Sequence, residues 1–167
     1  KFSPGPGLGG HCIPVDPLYL SWKLRAVKYT AQFIDVADGI NSAMPSWVVT
    51  RAAELLNDQG KPVRGSRVLV AGVAYKRDVS DVRESPAIDV LELLHQKGAV
   101  LSYLDPYVPE FHEGAVTMRS EPLDVDASRF DLLLIVTDHS NVDYERLVRQ
   151  APLTLDTRNA TRALAGL

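Results

Sequence analysis

The stretch "RVLVAGVAYKRDVSDVRESPAIDVLELL", residues 67–94, decides the fold. Its first nine residues are mostly apolar and rich in valine, which predicts a strand buried on both faces over residues 67–75. A helix is predicted over residues 85–98, with Ser85 as its N-cap and Pro86 in its first turn. A buried strand followed by a helix is the repeating unit of a parallel α/β sheet.

The same alternation continues to the end of the chain. We predict strands over residues 99–105, 115–118, 130–139 and 153–159, and a short helix over residues 144–150. Short connections between such units give a doubly wound, Rossmann-like parallel sheet. Ligands of these sheets bind beyond the carboxyl ends of the strands. The fold class is therefore α/β, and the loops that follow the strands are expected to form the binding site.

The first part of the chain has a different texture. Residues 1–16 are dense in glycine and proline, which is typical of a loop. Asp16 followed by Pro17 predicts the N-cap and the first position of a helix.

A long helix is predicted over residues 35–58, where apolar residues recur at a three/four spacing. Pro45 lies inside this helix and is expected to bend it, whereas Gly60 is placed to stop it. A helix of about 36 Å is longer than one small domain needs, so it either joins two domains or packs against its copy in a dimer. We expect a homodimer formed through this helix. The residues expected in that interface are Trp47, Val48 and Leu55.

Composition excludes several classes of function. The chain has 167 residues, 46% of them apolar, and a net charge of -3 without any basic block, so nucleic-acid binding has little electrostatic support. Its longest apolar run is far too short to span a bilayer, and no signal peptide opens it. The single cysteine cannot form an internal disulfide, which favours a reducing, cytoplasmic compartment. Because the chain opens inside a loop, we expect it to be part of a longer protein.

The loop after the first sheet strand carries cations where a parallel sheet presents its ligands. These residues are Tyr75, Lys76, Arg77 and Arg83. Gly72 stands alone, so the Gly-rich dinucleotide fingerprint is missing. Cations beside the start of a helix suit an anionic ligand such as a diphosphate, but a solvated charged loop fits the same residues. Arg158, at the end of the last strand, adds only weak support.

Cys12 lies in the stretch "GPGLGGHCIPVDP", residues 5–17. A lone cysteine is usually a small buried hydrophobe. A nucleophilic thiol is the alternative, because Gly9 and Gly10 let the backbone approach a ligand closely and Asp16 is near enough to orient water. Cys12 and the adjacent His11 do not make a tetrahedral metal site, so no metal is predicted.

Three motifs together resemble the UDP-glucose/GDP-mannose dehydrogenase family. "PGPGLGGHCIPVDPLYL" resembles its catalytic-cysteine motif, "INSAMPSWVV" its central dimerisation helix, and "GVAYKRDVSDVRESPAIDVLELL" the opening of its C-terminal UDP-sugar-binding domain. The motifs occur in the family's order and cover essentially the whole chain. The resemblance implies residues 1–60 as catalytic-cysteine loop and central helices, and residues 61–167 as the UDP-sugar-binding domain.

The resemblance implies a chemistry and residue roles. Family members oxidise the C6 alcohol of a nucleotide sugar to a carboxylate with two NAD, through a thiohemiacetal and a thioester on the cysteine. Cys12 matches that nucleophile, and Asp16 matches the aspartate that assists proton and water handling. Gly9 belongs to the glycines that hold the thiol against the sugar. The other matched positions are Phe2 near the uracil, Tyr75, Lys76 and Arg158 at the UDP-sugar, and Arg83 reaching NAD.

Two departures from the family pattern refine the expectation. The N-terminal NAD-binding domain is absent from this chain, so the chain alone is expected to be inactive. His11 and Val15 are more similar to the UDP-N-acetylhexosamine branch than to the UDP-glucose branch, which favours UDP-N-acetylglucosamine or UDP-N-acetylmannosamine as substrate. UDP-glucose 6-dehydrogenase remains an alternative, as does a non-catalytic module that binds UDP and dimerises.

Overall fold

The computed structural model of the chain describes residues 4–113 and 116–164. The helices are α1 (Asp16–Arg25), α2 (Gln32–Asp58), α3 (Pro86–Gln96) and α4 (Tyr144–Gln150), and short 3-10 turns cover Ala127–Arg129 and Arg162–Leu164. The strands are β1 (Arg67–Ala71), β2 (Val100–Leu104), β3 (Glu110–Glu113), β4 (Val116–Arg119), β5 (Leu132–Ile135) and β6 (Thr154–Asp156).

Four of these strands form one parallel sheet in the order β2-β1-β5-β6. The chain moves outward from β1 to β2, returns to pair β5 on the other side of β1, and then adds β6. This order, with helices on both faces, confirms the predicted doubly wound α/β fold. All four carboxyl ends lie at one edge of the sheet, which is where the candidate site is found.

Successive side chains of β1 and β5 point to opposite faces of the sheet, which divides the core into two layers. Val68 and Val70 point to the face that α2 and α3 cover, together with Leu132 and Leu134 of β5. The neighbours of these residues, including Leu69, point to the other face, which α4 and the 3-10 turn at Ala127–Arg129 cover. A strand buried on both sides must be apolar at every position, which explains the continuous apolar runs in the sequence.

The strands are shorter than the apolar runs suggested. β1 ends at Ala71 because Gly72 adopts a φ of +85°, and a Cβ at this position would collide with the backbone of Thr137. β5 likewise covers only four residues of the predicted 130–139 run. β4 confirms the short strand near residue 116, but its antiparallel partner β3 was not predicted, since "EFHE" has little apolar character.

The predicted helix ends are confirmed where glycine sets them. Gly60 has a φ of +68°. Its amide donates a hydrogen bond to the carbonyl of Asn57, and the amide of Lys61 donates one to the carbonyl of Leu56, which is the Schellman pattern. Gly98 ends α3 in the same way, with a φ of +85°. At the other end of α3, the Ser85 side chain accepts a hydrogen bond from the amide of Ala87, as an N-cap does.

The first two helices are present as predicted, but the predicted start of each is wrong. Asp16 is not an N-cap: α1 begins at Asp16 itself, the capping position is Val15, and no side chain caps this end. The long helix begins at Gln32 rather than at residue 35, and it continues through Pro45 to Asp58.

The predicted dimer face of α2 also needs correction. Val48 is fully buried within its own chain, because α2 packs against α3 and the sheet along this side. Trp47 is 55% exposed, and it continues an exposed apolar stripe along α2. The other members of that stripe are Phe33, Val36 and Ile40.

Within the described residues, no helix is long and apolar enough to cross a membrane.

Candidate functional site

The segment 73–78 follows β1 and carries three of the predicted ligand-binding residues. A buried carboxylate at the end of β2 holds its first residues: Oδ2 of Asp105 accepts hydrogen bonds from the amides of Val73 at 2.8 Å and Ala74 at 3.0 Å. A buried ring at the end of β5 holds its last residue: Nδ1 of His139 accepts a hydrogen bond from the amide of Asp78 at 3.0 Å. The segment is thus fixed at both ends by neighbouring strands.

Asp105 and His139 also contact each other. Nε2 of His139 lies 3.0 Å from Oδ2 of Asp105, and both side chains are fully buried. Burial alone would raise the pKa of the Asp105 carboxyl, but the hydrogen bonds from His139 and from the amides of Ala74 and Val73 outweigh it and lower the pKa below its ordinary value. Asp105 is therefore a carboxylate at neutral pH.

Tyr75 and Lys76 lie between the two fixed ends of this segment. Tyr75 is half-buried, and its amide bonds the carbonyl of Asp81 at 2.9 Å. Lys76 is exposed and makes no hydrogen bond or ion pair with the described residues. The ammonium group of Lys76 is therefore available to an anionic ligand at the carboxyl edge of the sheet.

Arg158 lies at the same edge, after β6. Its Nε is 3.3 Å from Oδ1 of Asp138, and Nη1 of Arg77 is 3.0 Å from Oδ2 of the same carboxylate. Asp138 thus bridges two arginines that come from different strand ends. Asp138 was not among the predicted site residues, although its position in "VTDHS", directly after a buried strand, was the available signal.

A polar cleft of about 640 Å³ opens between the loops that follow β5 and β6. Arg77, Asp138 and Arg158 line it, together with Asn159 and Arg162. Three arginines against Asp138 and Asp156 leave a cationic excess on its walls. This cleft and the exposed Lys76 offer donors of the kind that bind phosphate groups.

The glycine-rich loop before Cys12 lies across these strand ends. Nη1 of Arg158 bonds the carbonyl of Pro4 at 3.4 Å, and the amide of Gly10 bonds the carbonyl of Arg83 at 3.1 Å. A Cβ on Gly9 would come within 2.6 Å of the carbonyl oxygen of Glu84 and 2.7 Å of the Cβ of Tyr75. The glycines therefore permit close packing of one backbone segment against another.

Cys12 is exposed, so the structure does not support a role as a buried hydrophobe. Its Sγ lies 3.7 Å from Nδ1 of His11. Its carbonyl accepts hydrogen bonds from the amides of Val15 at 3.1 Å and Asp16 at 2.8 Å, which joins the loop to the start of α1. Asp16 is exposed in the first turn of that helix, four residues after Cys12.

Arg83 is engaged by a carboxylate of its own loop. Its Nε and Nη2 form a bidentate pair with Asp81 at 3.0 and 2.6 Å, and these hydrogen bonds lower the pKa of Asp81 to about 2. Together with the single Gly72, this does not make a dinucleotide site: the described residues offer NAD one arginine whose guanidinium is already paired. The described residues therefore do not form a complete binding site for NAD.

An apolar cavity of about 570 Å³ lies beside the Cys12 loop, between α1, α2 and the start of α3. Leu8, Ile13 and Pro14 of the loop line it, and Phe33 and Ile34 of α2 face them.

No group of three or more histidine, cysteine or acidic side chains suited to a metal ion occurs among the described residues. Phe2, predicted near the uracil, lies outside the described residues.

Comparison with protein-family models gives two matches. The model for the central domain of the UDP-glucose/GDP-mannose dehydrogenase family matches residues 1–43. The model for the UDP binding domain of that family matches residues 69–163, which is more than half of the chain.

Individual proteins show the same likeness. UDP-N-acetyl-D-mannosamine dehydrogenase of Methanococcus maripaludis (strain C7) is 35% identical over 137 residues, which is 82% of this chain and 30% of that protein. NDP-N-acetyl-D-galactosaminuronic acid dehydrogenase of Ralstonia solanacearum is 33% identical over 163 residues, which is 93% of this chain and 36% of that protein. The chain therefore spans about a third of the length of these relatives.

Among solved structures, the UDP-D-ManNAc dehydrogenase of Pyrococcus horikoshii superimposes with a TM-score of 0.77 at 29% identity. The match covers 95% of this chain and 37% of that one. The likeness therefore includes the Cys12 loop and the helices as well as the sheet.

Proposed function

Since the chain belongs to the UDP-glucose/GDP-mannose dehydrogenase family, we propose that it is the central and C-terminal portion of an NAD-dependent UDP-sugar 6-dehydrogenase. One observation carries this proposal. The Cys12 loop packs against both strand-end loops that bear the cations, with Gly5 beside Arg158 and Gly10 beside Tyr75. A sugar whose diphosphate lies at Lys76 and Arg158 would therefore have its far end close to the thiol.

Cys12 acts as the nucleophile in this proposal. Its thiolate attacks the C6 aldehyde carbon, forming a carbon–sulfur bond while the aldehyde oxygen takes up a proton. After oxidation to the thioester, water attacks the carbonyl carbon, the carbon–sulfur bond breaks, and the acid and the thiol are released. Asp16, whose amide donates a hydrogen bond to the Cys12 carbonyl, assists the proton and water handling. An exposed thiol beside open space supports this role, whereas a buried thiol would oppose it.

Lys76 and Arg158 bind the diphosphate, and Tyr75 contacts the UDP-sugar beside them. Lys76 contributes a charge that no described carboxylate neutralises. Arg158 contributes a planar guanidinium that is held toward the cleft by Asp138. Gly9 keeps the Cys12 loop close to Tyr75, so the nucleotide site and the thiol are joined through backbone packing.

NAD supplies the hydride acceptor when it is bound to the whole enzyme. Arg83 is the one residue proposed to reach it from this chain, and its pairing with Asp81 must then open or be shared. The main NAD contacts are proposed to lie in a part of the enzyme outside this chain.

We propose a UDP-N-acetylhexosamine, either UDP-N-acetylglucosamine or UDP-N-acetylmannosamine, as the substrate. His11 and Val15 in the motif around Cys12 support this choice over UDP-glucose. The names of the two curated relatives, both of which concern N-acetylated sugars, support it as well. A cytoplasmic location agrees with a catalytic thiol that must stay reduced.

We further propose that residues 1–60 and 61–167 divide the chain into a catalytic-loop and helix part and a UDP-sugar-binding part. The exposed stripe of α2, Phe33, Val36, Ile40 and Trp47, is proposed to pack against a second copy. Sedimentation of the chain at tens of micromolar tests this: we expect a dimer, and a monomer after Ile40→Glu. A monomeric wild-type chain at that concentration would contradict the dimer.

A second candidate applies to the chain by itself. The chain spans about a third of the length of these relatives, and the 167 residues by themselves are proposed to bind UDP and to self-associate without catalysis. Addition of NAD and UDP-sugar to the isolated chain is expected to give no NADH.

The whole enzyme tests the catalytic proposal. We expect the full-length protein to make two NADH per UDP-sugar acid, and Cys12→Ser to lower acid formation by about a thousandfold or more, because a hydroxyl cannot replace the thioester step. Acid would be measured by mass spectrometry, with Asp124→Ala, at an exposed aspartate far from the Cys12 loop in sequence, as a control. Turnover of Cys12→Ser near that of the control would contradict the role of the thiol.

A further inference from the structure

The Asp105–His139 pair has no role in the function proposed above, yet it is built into the edge of the sheet where the ligand would bind. It comes from the carboxyl ends of β2 and β5, and both side chains have no exposed surface. Each oxygen of Asp105 accepts two amide hydrogen bonds: Oδ2 from Val73 and Ala74, Oδ1 from Tyr107 and Val108. The ring of Tyr107 packs on His139 with centroids 5.0 Å apart.

The contacts of the pair fall on both sides of the predicted ligand-binding residues. Asp105 holds residues 73 and 74, and His139 holds residue 78 through the 3.0 Å bond from the Asp78 amide. The oxygen Oδ1 of Asp78 in turn accepts a hydrogen bond from the Ser140 amide at 2.8 Å. Tyr75, Lys76 and Arg77 are the residues between these fixed points. Their backbone path is therefore set by two neighbouring strand ends.

The hydrogen bonds also define which ring nitrogen of His139 carries the proton. The Asp78 amide can only donate, so Nδ1 of His139 must be the unprotonated, accepting nitrogen. Nε2 then carries the proton and donates to Asp105. A neutral Nε2–H tautomer is the one form in which the ring satisfies both partners at once.

We infer that His139, oriented by Asp105, is a positioning residue that holds the segment 73–78 in the conformation in which Lys76 meets the diphosphate. Stability alone does not require such a pair, because well-packed apolar residues usually stabilise a core as well as a buried polar pair does. A segment fixed before binding avoids the entropy cost of ordering it with the ligand. This inference rests on the proposed function, since it assumes that Lys76 binds the UDP moiety.

Calorimetric titration of the 167-residue chain with UDP tests the inference. His139→Gln keeps a donor for Asp105 but removes the acceptor for the Asp78 amide, whereas His139→Asn places an acceptor near Nδ1 but loses the bond to Asp105. His95→Gln, at an exposed histidine of α3, is the matched control. We expect His139→Gln to weaken UDP binding about tenfold, as for the loss of one well-placed contact, and the control to bind as wild type.

Two further readouts separate positioning from a purely structural role. In the Lys76→Ala background, His139→Gln should cost no further affinity, because the two residues act through the same contact. His139→Asn should bind UDP more tightly than His139→Gln while being the less stable of the two against denaturant. Nitrogen NMR of the wild-type chain should find Nε2 protonated and Nδ1 not, which needs no variant.

Several results would overturn the inference: an unchanged UDP affinity of His139→Gln, additive losses with Lys76→Ala, affinities that simply follow stability, or a protonated Nδ1. A wild-type chain that does not bind UDP, or a Lys76→Ala variant that binds as tightly as wild type, would contradict the proposed UDP site and the inference with it. Loss of UDP binding in Lys76→Ala but not in His139→Gln would contradict the inference alone.

Discussion

Two segments meet at the carboxyl edge of the sheet, and they are held in different ways. The segment 73–78 is fixed by buried polar groups from two other strands, Asp105 and His139. The Cys12 loop is held by close backbone packing at Gly9 and by the bond from the Gly10 amide, while the thiol itself is exposed. The segment that is proposed to bind the nucleotide is therefore held by buried contacts within this chain, whereas the proposed nucleophile lies on an exposed surface.

The same contrast extends to the hydrophobic surfaces. The sheet is covered on both faces, and its inner strands have no exposed apolar residue. In contrast, α1 and the first half of α2 leave large side chains in solvent, among them Trp22 at 64% and Phe33 at 92% exposure. Exposed apolar surface of this extent indicates an interaction site.

The largest effect is expected from a variant that removes the buried contacts of the segment 73–78. Asp105→Ala would leave four amides and the ring of His139 without their buried acceptor, so we expect it to lower the free energy of unfolding by about 3 kcal/mol or more. Urea denaturation measures this. Asp124→Ala, at an exposed aspartate, should change stability by no more than about 0.5 kcal/mol. Equal stability of the two variants would contradict the assigned role of Asp105.

A smaller effect is expected from displacing the Cys12 loop. In Gly9→Ala, the new Cβ would lie within 2.7 Å of Glu84 and Tyr75 atoms, so the loop must move away. We expect a loss of about 1–3 kcal/mol, as for overpacking, and faster proteolytic cleavage near the loop, because its docking is the contact that fails. If cleavage and stability stay at wild-type values, the packing of the loop against Tyr75 is wrong.

The smallest effect should have the opposite sign. Gly39→Ala adds the same methyl group at a helical position of α2 where, apart from its chain neighbours and the backbone of its own helix, no described atom lies within 4 Å of the new Cβ. Replacing an exposed helical glycine by alanine removes backbone freedom from the unfolded chain, so we expect a gain of about 0.5–1 kcal/mol. Urea denaturation in the same series as Gly9→Ala checks the sign. A destabilised Gly39→Ala variant would mean that this face of α2 is covered by something in solution, such as a second copy.

Local rules explain which elements could be predicted from the sequence. Ser85, Gly60 and Gly98 set helix ends through contacts within a few residues, and each was predicted correctly. The continuous apolar runs predicted strands at β1 and β5, and the predicted burial of β1 on both faces is observed. Strand lengths were overestimated, because the end of β1 depends on contacts between Gly72 and the loop after β5.

The contacts that fix the candidate site could not be predicted, because they join residues far apart in the chain. Asp105 and His139 are 34 residues apart, and the Asp78 amide is 61 residues from His139. The hydrophobic pattern of the sequence predicts that such residues lie at the ends of strands. It does not predict which strand ends become neighbours in the sheet. The same limit explains the wrong assignment of Val48, since helix periodicity alone does not say which stripe faces the sheet.

The central claim is that this chain contributes the UDP side of the proposed site and, apart from Arg83, not the NAD side. Calorimetric titration of the chain with UDP, a UDP-N-acetylhexosamine and NAD tests it most directly. We expect UDP and the UDP-sugar to bind with a Kd of about a millimolar or somewhat below, as for a site that lacks contacts from the rest of the enzyme, and NAD to give no binding heat. Binding of NAD without binding of UDP would contradict the account.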